Sequence, residues 1–243
     1  MPARTSHTAP QDAHASENGT PEDRTPPEDR TPEEWRGPIL AAAMAHIPFD
    51  GWTMKALETA ASELGLAPAM AELAFPGGVA DALEDYIHTE EALFAAALAA
   101  TDMSSMKIRE KVTYAVRLRL EMNTAKRDVA QKALTALMLP AYAHIGPKAL
   151  WATSDIIWRA LKDTSTDYNW YTKRATLSAV YASTVLYWLN DDSDDFADTW
   201  SFLDRRIADV MRIETAKFKM REACKDMPSV TRFLSRLRYS AAN

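Results

Sequence analysis

Few residues of the 243-residue chain have the types and spacing that chemistry needs. The histidines are His7, His14, His46, His88 and His144, and no two stand at metal-ligand spacing. Asp85-x-x-His88 is half of a di-iron carboxylate set, which requires a second such pair and two further carboxylates. On an acidic helix it reads as a solvated face. Cys224 is the single cysteine, so an intrachain disulfide is excluded and a reducing compartment fits. Lys225 beside it favours the thiolate, but no partner base is identifiable. There is no Gly-x-Ser-x-Gly elbow and no glycine-rich phosphate loop. Asp191, Asp192, Asp194 and Asp195 form an acidic run without the alternating ligands and glycine of a calcium loop. Acids just before a helix satisfy its free amides and its dipole instead. The expectation is a non-catalytic chain with no metal and no resident cofactor.

The other conspicuous stretch is Asp167 to Trp188, "DYNWYTKRATLSAVYASTVLYW". It contains no glycine or proline and reads as one helix. On a wheel at 100° per residue, Arg174, Leu177, Tyr181, Val185 and Trp188 fall within about 60° of Trp170. Apolar residues cover most of the remaining circumference, so the helix is central. A fully buried arginine is costly unless paired. The first turns are therefore expected to emerge at the surface, with Asp167, Asn169, Trp170, Tyr171 and Arg174 as a patch. Trp, Tyr and Arg are what interfaces use as anchors.

The elements that must position these residues read as all-α. Residues 1–36 carry the degenerate repeat "TPEDR", "TPPEDR", "TPEEWR", with too little apolar content to offset chain entropy; they read as a disordered acidic, proline-rich tail. "ILAAAMAHI" is helical and is expected to stop at Pro48. Thr53 can cap a helix over Met54 to Leu64. Gly65 turns the chain into a short helix, Ala69 to Phe75, and a longer helix follows. Two short helices across a brief turn make a helix-turn-helix module over residues 37–100, in an order that resembles TetR-type regulators. Its charge opposes DNA binding. From Thr53 to Ala100 the only cation is Lys55, against Glu58, Glu63, Glu72, Asp81, Glu84, Asp85, Glu90 and Glu91. A DNA reader needs cations for phosphates and donors for base edges. A ligand-responsive transcription regulator is thus the second reading, and no nucleic-acid partner is expected.

Residues 101–226 read as long helices. Lys107 to Leu139 lacks breakers, and its cations scatter around the wheel as a solvated face. Pro147 suits the first turn of the next helix. After the acidic run, Phe196, Trp200, Leu203, Ile207 and Val210 recur as a buried stripe. Met103, Met106, Met122, Met138 and Met211 could line an adaptable cavity, and ordinary core packing explains them equally.

"DYNWYTKRATLSAVYASTVLYW" followed by "DDFADTWSFLDRRIADVM" resembles the lipid-binding accessory proteins of ubiquinone biosynthesis, the Coq-nine type, densely over residues 160–215. The resemblance implies a TetR-like helical bundle with a degenerate helix-turn-helix. It also implies a non-enzymatic helper that binds an isoprenoid lipid or ubiquinone precursor. Its implied partner is the di-iron demethoxyubiquinone hydroxylase, docked through Asp167, Asn169, Trp170, Tyr171 and Arg174. Leu177, Tyr181, Trp188 and Met211 are the expected lipid contacts. A homodimer through the last two long helices is the expectation for the fold.

Past Pro228, Val230, Phe233, Leu234 and Leu237 share an arc of about 100°, flanked or opposed by Arg232, Arg236 and Arg238. The residues alone fit either an amphipathic helix on anionic lipid or a terminal helix docked on the core. The resemblance favours the membrane, with Val230, Phe233, Leu234, Arg236 and Leu237 of segment 227–243 as its contacts. The acidic start differs from a basic import peptide, so the expected place is the cytoplasmic side of a bacterial inner membrane, peripherally bound.

Overall fold

The computed structural model describes residues 30–225, which form ten α-helices and no strand. The expected membrane contacts Val230, Phe233, Leu234, Arg236 and Leu237 lie outside the described residues.

Helix α1 (Pro32–Ala43) opens with a capping box. The Glu34 amide donates to the Thr31 hydroxyl, and Glu34 Oε2 accepts from the Thr31 amide at 2.6 Å. The structured chain therefore begins inside the expected 1–36 tail, and Trp35 is buried in the core. Proline does not end the first helical stretch either. The chain turns at Met44–His46, and Pro48 lies in the first turn of α2 (Ile47–Asp50), where its missing N–H costs nothing.

The helix-turn-helix pair is α3 (Met54–Glu63), capped by Thr53, and α4 (Ala69–Ala74). Gly65 between them takes a positive φ of 77°, which glycine adopts without steric cost. With α1 and the start of α5 (Val79–Ala100) they close a first core around Ile39, Leu57, Phe75 and Leu83.

The expected single helix from Lys107 to Leu139 is broken. It runs as α6 (Ile108–Glu121), a 3-10 turn at Thr124–Lys126, and α7 (Arg127–Leu137). Asn123 and Thr124 turn their side chains back onto the carbonyls of Arg119 and Leu120, competing with the backbone ladder. The break sends α7 to the first core, where Val129, Ala133 and Ala136 pack. It also overturns the solvated-face reading for Arg119. That residue is buried, 3.6 Å from Glu90, which Lys126 reaches at 2.7 Å. Burial raises the pKa of the neighbouring Glu91 carboxyl, with His88 and Arg119 pulling against it.

The second core lies between α5, α6, α8 (Ile145–Ala160), α9 (Asp167–Trp188) and α10 (Ala197–Lys225). Leu203 and Ile207 are buried, with Phe196, Trp200 and Val210 packed beside them, as the stripe requires.

The acidic run does cap α10. Asp191 accepts from the amides of Ser193 and Thr199, each at 2.8 Å, and from the Thr199 hydroxyl. Burial alone would raise its pKa; these hydrogen bonds win and hold it at about 2. A depressed carboxyl stabilises the fold above its unfolded pKa, and that contribution disappears as pH falls through the folded value. Asp191→Ala should therefore lose about 2 kcal/mol near neutral pH. In denaturant melts, its gap from the native protein should narrow between about pH 4 and pH 2.

Candidate functional site

Helix α9 carries two features at its N-terminal half, a surface cluster of rings and one wall of a half-open cavity. On the surface side, Trp170 is half-buried and Tyr171 is 61% exposed. Their ring centroids lie 4.7 Å apart, and Trp170 sits 5.6 Å from Trp151 of α8. Asp167 and Asn169 are exposed beside them. Asp167 takes a φ of 55°, which is uncommon outside glycine, at the start of the helix.

Arg174 is not at the surface. It is 3% exposed, a correction to the expected patch. Its Nε donates to Asp155 Oδ1 at 2.6 Å, its Nη1 lies 3.7 Å from Asp163 Oδ2, and its guanidinium stacks 3.9 Å from the Trp170 ring centroid. Burial is tolerated because two carboxylates and a ring face replace the lost water. Wheel reasoning placed Arg174 at the surface because it could not see these partners. The available signal was a matched spacing. Trp151 and Asp155 stand four apart on α8, and Trp170 and Arg174 stand four apart on α9, so the two pairs meet ring to ring and charge to charge.

The cavity has a volume of about 540 Å³, within the usual range for small-molecule sites. Its apolar wall includes Val112 of α6, Trp158 of α8, Leu177 and Val180 of α9, and Ile207 and Met211 of α10. Arg109, Lys162, Asp163, Asn169 and Lys173 also line it. Along α9 the lining passes from Asn169 through Thr172, Lys173 and Thr176 to Leu177 and Val180. At 1.5 Å per residue this is a polar-to-apolar gradient over roughly 16 Å. The α8–α9 turn closes one side, with Lys162 at a φ of 55°. Lys173 Nζ donates to Asp163 Oδ1 at 2.7 Å and also to the Ser165 hydroxyl.

Of the four expected lipid contacts, Leu177 and Met211 line this cavity. Tyr181 and Trp188 do not. Tyr181 is buried toward Arg119 and the Glu90–Glu91 pair, and burial raises its pKa. Trp188 packs 6.0 Å from Phe196, with the Arg127 guanidinium 5.9 Å away. Tyr181 follows the lining residue Val180 but projects about 100° around the helix from it, and Trp188 lies about two turns further along, in the core. Met138 is exposed and Met103 is core, so neither contributes to the lining. Trp158, Asp163 and Lys173 were missed because charge and aromaticity near a turn normally mean solvent contact.

Residues 143–214, which span α8, α9 and half of α10, match the COQ9 family. The chain is 35% identical over 190 residues to the human ubiquinone biosynthesis protein COQ9, mitochondrial, covering 74% of this chain and 58% of the relative. It is 31% identical over 206 residues to the Drosophila melanogaster protein of the same name, covering 83% and 62%. The chain thus spans about three fifths of the length of the curated relatives it matches. The crystal structure of the TetR transcriptional regulator from Nitrosomonas europaea superposes with a TM-score of 0.53 at 16% identity, covering 72% of this chain and 97% of the regulator. Residues 143–214 are thus similar to the COQ9 family, within a chain of TetR-like all-helical fold.

Proposed function

We propose that the chain is a non-catalytic, lipid-binding accessory protein of ubiquinone biosynthesis. It takes an isoprenoid quinone precursor into the cavity between α6, α8, α9 and α10. It then presents that precursor to the di-iron demethoxyubiquinone hydroxylase, which docks on Trp170, Tyr171, Asp167 and Asn169. Arg174 supports this surface from beneath. The terminal segment 227–243 holds the protein on anionic lipid, and α9 and α10 provide the homodimer contact.

The observation that supports the reading is the cavity itself, mostly apolar, with Asn169, the residue before Trp170, in its lining. An apolar lining recovers free energy by taking a chain out of water. The expected result is an isoprenoid lipid in solvent extracts of the purified protein, identified by mass spectrometry. Val112→Trp fills the cavity from a half-buried position and should lose most of that lipid while keeping the native melting temperature. Full retention of the lipid by this variant would place the binding site elsewhere.

A ligand-responsive regulator is the reading favoured by the TetR-like fold. The helix-turn-helix opposes it, because α4 is one and a half turns long and presents Leu73 outward, with no donor side chain.

A further inference from the structure

Two buried polar atoms among the cavity-lining residues make no hydrogen bond, the indole Nε1 of Trp158 and the carboxylate Oδ2 of Asp163. The turn after α8 brings the two residues together. The Asp163 amide donates to the Trp158 carbonyl at 3.0 Å. Lys173 Nζ lies 5.1 Å from the Trp158 ring centroid and 2.7 Å from Asp163 Oδ1, so one ammonium borders both side chains. Oδ1 also accepts from the Ser165 hydroxyl at 2.8 Å. Oδ2 is ion-paired with Arg174 Nη1 at 3.7 Å, which is beyond hydrogen-bond length.

The Asp163 side chain is 6% exposed. Burial would raise its pKa, but Lys173 and Ser165 outweigh burial and hold the carboxyl below its ordinary value. Its oxygens can therefore only accept, and an indole N–H can only donate. A buried donor and a buried acceptor left without hydrogen bonds each carry a desolvation cost that a suitable ligand removes.

We propose that Asp163 and Trp158 form the head-group subsite of the cavity, and that the group it selects is a phenolic or hydroquinone hydroxyl. The hydroxyl donates to Asp163 Oδ2 and accepts from Trp158 Nε1. This rests on the lipid-binding reading above and narrows its ligand class. An oxidised quinone carbonyl or a methoxy oxygen has lone pairs only and would set oxygen against a carboxylate. A carboxylate or phosphate head would add a second anion beside Asp163. An ammonium head would meet Lys173 and Arg174.

The test compares two redox forms of one compound, a benzoquinone with a two-isoprene tail and its hydroquinone. Both are titrated anaerobically into delipidated full-length protein by calorimetry. The native protein should bind the hydroquinone about tenfold more tightly or better, since a site built for a hydroxyl rejects the analogue lacking it. Asp163→Asn should erase that preference, because an amide can donate to a quinone carbonyl. Trp158→Phe should weaken hydroquinone binding more than quinone binding. Should Asp163→Asn not fold, the native comparison and Trp158→Phe still decide. Equal binding of the two forms by the native protein overturns the subsite and leaves the lipid reading standing. Binding of neither form overturns both.

Discussion

Arg174→Glu should cost the fold about 4 kcal/mol, a drop in melting temperature on the order of 10 °C. Arg174 is 3% exposed and faces Asp155 at 2.6 Å and Asp163 at 3.7 Å. The glutamate would place a third anion between two carboxylates with no water to screen it. Arg174→Met removes the cation without adding an anion and should cost somewhat less. Adding Asp155→Asn to that variant should recover part of the loss, because one uncompensated charge is gone. Arg174→Lys keeps the charge but loses the planar fork that reaches Asp155 and the Trp170 carbonyl together, so it should fall between. A melting temperature for Arg174→Glu within a degree or two of native would mean that the ion pairs contribute nothing to the fold.

The second large effect separates two tryptophans of one helix. Trp188→Ala should destabilise by roughly 3–5 kcal/mol. The ring is 1% exposed, and its removal leaves a hole bounded by Phe196 and Arg127. Trp170→Ala removes a half-buried ring that covers Arg174 and meets Trp151, and should cost only about 1–2 kcal/mol. Under the proposed function, the same Trp170 variant should lose about 2–4 kcal/mol of affinity for the hydroxylase, while Trp188→Ala loses affinity only as far as it unfolds. Equilibrium denaturation and a pull-down at a temperature where both variants are folded read the two quantities separately. Equal destabilisation by the two substitutions would show that both rings are core and would move the docking surface off α9.

What the sequence by itself determined lies where the cause is local. Asp167–Trp188 is helical because nothing in it breaks a helix, and Thr53 starts a helix because its side-chain oxygen reaches an amide three residues on. The buried stripe on α10 follows from its 3.6-residue period, and the capping by Asp191 follows from its place before the first turn. The likeness to the COQ9 family was legible because the α9–α10 strings are long and specific. Tertiary structure decided what depends on partners far along the chain. Arg174 reads as exposed until Asp155, nineteen residues earlier, and Asp163 are placed against it. Arg119 reads as solvated until the break at Asn123 lets Lys126 and Arg119 share Glu90. The wheel gave Leu177, Tyr181 and Trp188 one face, but a face extends the whole length of a helix. Only the packing of α6 and α10 across it decides that Leu177 borders a cavity while Trp188, some 16 Å further along, fills the core.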